Sequence, residues 1–221
     1  MILDEIAEKY RTDKRSTEHN YTPFYEKYFD EIRDKKIKIL EIGIYRPPVS
    51  LPSPLADGRH DAASLKTWYE YFPNAEIYGV DLNDFKYVEN DRIKTMIADQ
   101  GKREKGGLSD IVEVFGGEYD IIIDDGGHTM QQQLVTLGYL FEYLKSDGIF
   151  VIEDLHTSYM RHYNPTHTDR TTIEVLREIE KSNNVESEFI KDEEKKYLEE
   201  HINTCDIMKG TESEIAFITK K

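Results

Sequence analysis

Apolar residues fall into two alternating rhythms between residues 36 and 154. Five short blocks rich in aliphatic and β-branched side chains read as strands: KIKILEIGI (36–44), AEIYGVDL (75–82), RIKTMIAD (92–99), YDIIID (119–124) and IFVIED (149–154). Between them, segments 62–72, 107–115 and 131–145 place apolar residues three and four apart and read as helices. Pro73-Asn74 stops the first of these helices, and Ser146-Asp147-Gly148 turns the chain into the last strand. Helical spacing also covers 2–10, 23–34, with Pro23 in its first turn, 171–181 and 191–201. NTCDIMK (203–209) and SEIAFITK (213–220) flank Gly210-Thr211-Glu212, the pattern of an antiparallel hairpin.

Strand–helix alternation predicts an α/β fold: a doubly wound, mostly parallel sheet covered on both faces, here closed by a C-terminal antiparallel hairpin. The expected organisation is an N-terminal helical extension over 1–35 and one domain over 36–221. Segment 45–61, YRPPVSLPSPLADGRHD, is too proline-rich for helix or strand and too long for an ordinary connection, so it reads as a functional loop or an insertion.

Composition narrows the function. Hydrophobic residues at 38% are enough for a real core. A net charge of −15 argues against nucleic acid as the main partner, because phosphate backbones call for Lys/Arg surfaces. Apolar runs of about five residues fall far short of a membrane span. The acidic, amphipathic start MILDEIAEKYRTDK is unlike a signal peptide, and the single cysteine, Cys205, fits a reducing compartment. The expectation is a soluble cytoplasmic protein without a membrane partner.

All five parallel strands reach an acidic residue at or near the carboxyl end, the edge where open α/β sheets bind ligands: Glu41, Asp81, Asp99, Asp124-Asp125 and Glu153-Asp154. Acids crowded at one edge repel one another unless a cation or a hydroxyl-rich ligand offsets the repulsion. Glu41 and Asp81 suit ribose hydroxyls, Gly43 lets the backbone approach a ligand, and Asp99-Gln100 suits an adenine edge. The full GxGxxG phosphate turn is missing, which disfavours a dinucleotide and leaves a nucleoside without phosphates, such as S-adenosylmethionine. Asp125, Glu153 and Asp154 form a second set of oxygen ligands, suited to Mg²⁺ first and to Mn²⁺ or Ca²⁺ next. Side chains alternate along a strand, so Asp124 is expected on the cofactor side and Asp125 on the metal side. His128, just past the Gly126-Gly127 turn, is placed to act as a general base on a metal-bound hydroxyl. His156, His162 and His167 either line a substrate pocket or belong to a polar loop.

Several stretches together carry a resemblance: TDK…HNYTPFYEKYF (12–29), LEIGI (40–44), SLKTWYEYFPNAEIYGVDL (64–82), ADQ (98–100), YDIIIDDGGH (119–128) and GIFVIEDLHTSY (148–159). They resemble class I S-adenosylmethionine-dependent methyltransferases, and more narrowly the metal-dependent sugar O-methyltransferases of the macrocin and mycinamicin type. The resemblance implies a seven-stranded, Rossmann-like sheet whose last two strands are the hairpin. It implies Mg²⁺ on Asp125, Glu153 and Asp154, and His128 as the base. Around the cofactor it places Glu41, Asp81, Asp99, Gln100 and Asp124, with Tyr21 closing over it. The implied reaction is methyl transfer to a sugar hydroxyl on a small-molecule glycoside, nucleotide sugar or surface-polysaccharide precursor. Homo-oligomers are a tendency of such proteins, with the N-terminal helices and 45–61 as the contact. Two alternatives stay open from the residues: a catechol-type O-methyltransferase, and a non-catalytic S-adenosylmethionine-binding module. The usual glycine-rich first loop is replaced here by 45–61.

Overall fold

A computed structural model describes residues 2–45 and 62–221. Most of the proline-rich segment, 46–61, lies outside the described residues, and with it the readings of that segment as a ligand loop or subunit contact. Seven strands form one sheet: β1 (Lys38–Ile42), β2 (Glu76–Asp81), β3 (Ile93–Ile97), β4 (Tyr119–Asp124), β5 (Leu144–Ile152), β6 (Ile202–Lys209) and β7 (Glu214–Lys220). The strand order is β3-β2-β1-β4-β5-β7-β6. Strands β1 to β5 run parallel, and β7 is antiparallel to both β5 and β6. The seven-stranded, doubly wound sheet with its terminal hairpin is therefore as expected.

Alternation along each strand sends side chains into two separate cores. Leu40, Ile42, Ile122, Phe150, Ile152 and Ile218 face one, which is covered by α4 (Leu108–Phe115), α5 (Met130–Leu140), α6 (Thr172–Ser182) and α7 (Asp192–His201). Ile39, Ile121, Ile123, Val151 and Phe217 face the other, which is covered by α1 (Ile2–Tyr10), α2 (Thr22–Phe29) and α3 (Ala63–Tyr71). Leu3, Ile6, Tyr25 and Phe29 from the N-terminal helices are buried in this second core beside Leu65 and Trp68 of α3. The first 35 residues thus supply part of one wall of the sheet.

Two elements differ from the expected bounds. Helix 23–34 ends as an α-helix at Phe29 and tightens into a 3₁₀ turn over Asp30–Ile32. The last parallel strand starts at Leu144 instead of 149, because Leu144 already pairs with Tyr119; the register then shifts, and Ser146, Asp147 and Gly148 fall within this irregularity.

Aromatic packing joins the hairpin to the N-terminal helices. Phe217 is fully buried; its ring stacks on Tyr28 at 4.3 Å and meets Tyr25 edge-on at 5.4 Å. Phe217→Ala is expected to cost about 3–5 kcal/mol through lost burial and the cavity left behind. Denaturant unfolding would show this as an earlier midpoint, and an unchanged midpoint would refute it. Among the described residues no helix is long and apolar enough to cross a membrane.

Candidate active site

Strand order reverses between β1 and β4: the chain leaves β1 for β2 on one side and returns to β4 on the other. At such a switch point the loops beyond the strand ends diverge and leave a crevice. Gly43 sits there with φ +83°, and its amide donates to Val80 O at 2.8 Å. Asp81, ending β2, orders the start of the next loop. Its Oδ2 accepts from the amides of Ile44 (3.0 Å) and Tyr45 (2.9 Å), and its Oδ1 accepts from Asn83 N and Nδ2, both at 2.9 Å. Asp99 is about one-third exposed, with Gly101 N on Oδ1 and Lys102 Nζ 3.0 Å from Oδ2.

Parity along β4 separates the two adjacent aspartates. Asp124 points to the α5 side, fully buried, and its Oδ1 accepts from Gln100 Nε2 at 2.8 Å and from Gly126 N at 3.2 Å. Burial pushes its carboxyl up to about 6, against the lowering effect of those donors and Thr136. Gln100 also donates to Thr136 Oγ1 and accepts from Gly127 N, so its amide braces the Gly126-Gly127 turn.

Asp125 points to the opposite face, where Lys14 Nζ lies 2.6 Å from its Oδ2. Glu153, one residue beyond β5, has the same parity and is sealed from solvent. Its Oε1 lies 2.8 Å from Lys14 Nζ and accepts from the hydroxyl of Tyr25. Glu41 of β1 completes this cluster, 3.6 Å from Lys14 and fully buried. Burial raises the carboxyl of Glu153 to about 8, against Lys14 and Tyr25, and burial together with Glu153 raises that of Asp125. For Lys14, burial opposes the charge, but Asp125, Glu153 and Glu41 together hold its ammonium well above the ordinary lysine range.

His128 and Asp154 adopt left-handed backbone, φ +57° and +56°, a costly conformation for residues with a Cβ. Thr129 then starts α5 with a capping box: Thr129 Oγ1 accepts from Gln132 N, and Gln132 Oε1 accepts from Thr129 N. The result turns His128 toward Asp154, with Nε2 3.5 Å from Oδ2. Burial lowers the imidazole pKa, and nearby Asp154 only partly offsets this. Burial therefore favours the unprotonated ring. Tyr21 donates to Asp154 Oδ1 at 3.0 Å, and His19 and His156 lie 3.7 and 4.0 Å from the same oxygen.

Asp125, His128 and Asp154 offer ligand atoms all within 4.8 Å of one another. The two carboxylates of this group, with Glu153 as a third oxygen donor next to Asp154 in the chain, suit a hard divalent ion, whereas the imidazole is the softer donor. Glu153, next to Asp154 in the chain, shares Lys14 with Asp125.

No family model matches the sequence. Demethylmacrocin O-methyltransferase of Streptomyces fradiae is 31% identical over 183 residues, 80% of this chain and 43% of that protein. Mycinamicin VI 2''-O-methyltransferase of Micromonospora griseorubida is 33% identical over 159 residues, 71% of this chain and 37% of that one. Among solved structures, MycE methyltransferase in complex with Mg and SAH superposes with a TM-score of 0.79 at 26% identity, covering 99% of this chain and 54% of MycE. This chain is homologous to the macrolide-sugar O-methyltransferases. It spans about half the length of these relatives, or less.

Within this methyltransferase fold, Glu41, Gly43, Asp81, Asp99, Gln100 and Asp124 lie along the carboxyl edge of β1 to β4, and Tyr21 lies against Asp154. Lys14, Tyr25 and His19 did not emerge from sequence reasoning. Their stretches were legible as part of the resemblance, but nothing local in TDK or PFYEKY tells which strand end they meet.

Proposed function

We propose that the chain is the catalytic domain of a divalent-metal- and S-adenosylmethionine-dependent O-methyltransferase whose acceptor is a sugar hydroxyl. The observation carrying this reading is the meeting of Asp125, His128 and Asp154 at the carboxyl edge of the sheet, beside the switch point. MycE, which shares the fold, was also crystallised with Mg, SAH and mycinamycin VI, and the curated relatives are named for methylation of glycosylated macrolides and tetracenomycins. In this reading Asp125, Glu153 and Asp154 hold Mg²⁺. Glu41, Gly43, Asp81, Asp99 and Asp124 shape the cofactor cleft, Gln100 braces it, and Tyr21 fixes Asp154.

When bound, S-adenosylmethionine would supply an electrophilic sulfonium methyl, and a divalent ion held by Asp125, Glu153 and Asp154 would supply positive charge that makes an acceptor hydroxyl easier to deprotonate. The chain's own contribution is positional. His128, neutral and partly buried, takes the proton from the acceptor hydroxyl at Nε2. Asp154 then faces the charge that forms on the ring, and the left-handed backbone at both residues keeps them facing. Holding acceptor and donor in one geometry supplies much of the acceleration.

The test is purified protein with S-adenosylmethionine, Mg²⁺ and three acceptors: a demethylated macrolide glycoside, a nucleotide sugar and a catechol. Mass spectrometry should show one added methyl on a sugar, abolished by EDTA and by Asp154→Asn. Methylation of the catechol alone, or transfer that survives EDTA, would refute the reading. The reading includes a cytoplasmic location and no nucleic-acid or membrane partner, supported by the net charge of −15 and the free, buried thiol of Cys205. Homo-oligomerisation is included as well, to be tested by sedimentation.

A further inference from the structure

Lys14 belongs to the polar segment between α1 and α2, yet its side chain is 1% exposed. Its main chain is anchored too, because its carbonyl accepts the amides of Tyr21 (2.9 Å) and Thr22 (3.1 Å) at the start of α2. The ammonium therefore enters the sheet edge from a fixed point. Glu41, Asp125 and Glu153 converge on it at 3.6, 2.6 and 2.8 Å, from the ends of the neighbouring strands β1, β4 and β5. Ionised carboxylates gathered around one ammonium repel one another, Glu41 and Glu153 are sealed from water, and an unpaired buried charge is costly. An exchangeable ion offsets that repulsion only while it is bound. A tethered ammonium offsets it always.

We propose that Lys14 is a positioning residue: the resident cation of the inner half of the carboxylate cluster. It keeps Glu41, Asp125 and Glu153 assembled whether or not a divalent ion occupies the outer half, where Asp154 joins Asp125 and Glu153 as a ligand. The metal can then come and go without the strand ends parting. The inference rests on the reading of that outer half as a cation site.

Thermal unfolding of the full chain tests it, in EDTA and in Mn²⁺, for wild type, Lys14→Met and Lys14→Met/Glu153→Gln. Lys14→Met in EDTA should melt about 10 °C lower, the scale expected for breaking a buried pair in a chain of this size. Mn²⁺ should raise its midpoint by more than it raises that of wild type, because the ion then replaces a missing charge. The double variant, with one carboxylate fewer to neutralise, should recover part of the loss in EDTA. It also serves where the single variant does not fold without metal. If Lys14 merely fills space, Lys14→Met loses the same amount in EDTA and Mn²⁺ and Glu153→Gln recovers nothing; either result overturns the proposal. Mn²⁺ raising neither wild type nor Lys14→Met overturns the metal reading itself, whereas equal rises in both overturn only the role of Lys14.

Discussion

His128→Ala is expected to lower turnover by about a hundred- to ten-thousand-fold, the usual contribution of a positioned general base. Cofactor affinity should stay near wild type, since the imidazole faces Asp154 and stands at the start of α5, away from the β1–β3 edge. The pH profile provides a second handle. Burial lowers the pKa of His128 from 6.5, and Asp154 offsets this only in part. A base works when unprotonated, so kcat/KM should rise with pH along a limb lying below 6.5 and then level off. The variant should lose that limb together with the rate. Calorimetry with S-adenosylhomocysteine and rate measurements from acid to neutral pH would check both. A variant that turns over normally, or that loses cofactor binding in parallel with rate, would remove His128 from the chemistry.

Gly43→Ala should be the most damaging single-atom change at the sheet edge. The residue has φ +83°, which already costs about 1–2 kcal/mol for a residue with a Cβ. An added Cβ would also fall 2.0 Å from Asp125 O and 2.5 Å from Gly126 Cα. Those neighbours are backbone and cannot rotate away. They are tied in turn, since Asp125 N donates to Ile42 O at 2.8 Å. The ends of β1 and β4 must therefore part, carrying Asp125 away from His128 and Asp154. The expected loss is more than about 2 kcal/mol, roughly 4–8 °C in melting midpoint for a chain this long. Divalent-cation binding should weaken with it. Wild-type melting and Mn²⁺ affinity in the alanine variant would show that the close approach of the two strand ends is not required.

The site was legible where chemistry follows from local order. In YDIIIDDGGH, a strand's alternation alone implies that Asp124 and Asp125 face opposite ways. They do: Asp124 meets Gln100 near α5, and Asp125 meets Lys14 on the other face. The same logic did not reach the partners. Glu153 was expected simply as an oxygen ligand. Its parity matches Asp125, and the face it points to is covered by α2, so Tyr25 and Lys14 occupy Oε1. Gln100 was expected on an adenine edge, and its amide is spent on Asp124, Thr136 and Gly127. Competition for hydrogen bonds between segments from 24 to 128 residues apart leaves no trace in a short window of sequence.

Sequence by itself determined the alternation of elements, the parallel sheet with its hairpin, and a row of acids at the carboxyl edge. Each of these follows from periodicity within a few residues or from where a strand leaves the core. Tertiary structure alone decided which acids meet and what neutralises them. Strand order sets β1, β4 and β5 side by side, pleat parity turns Glu41, Asp125 and Glu153 to one face, and that face is covered by a segment more than a hundred residues from Asp125 that brings Lys14. Buried charge must find a partner wherever the fold offers one, and that partner is specified by packing in three dimensions.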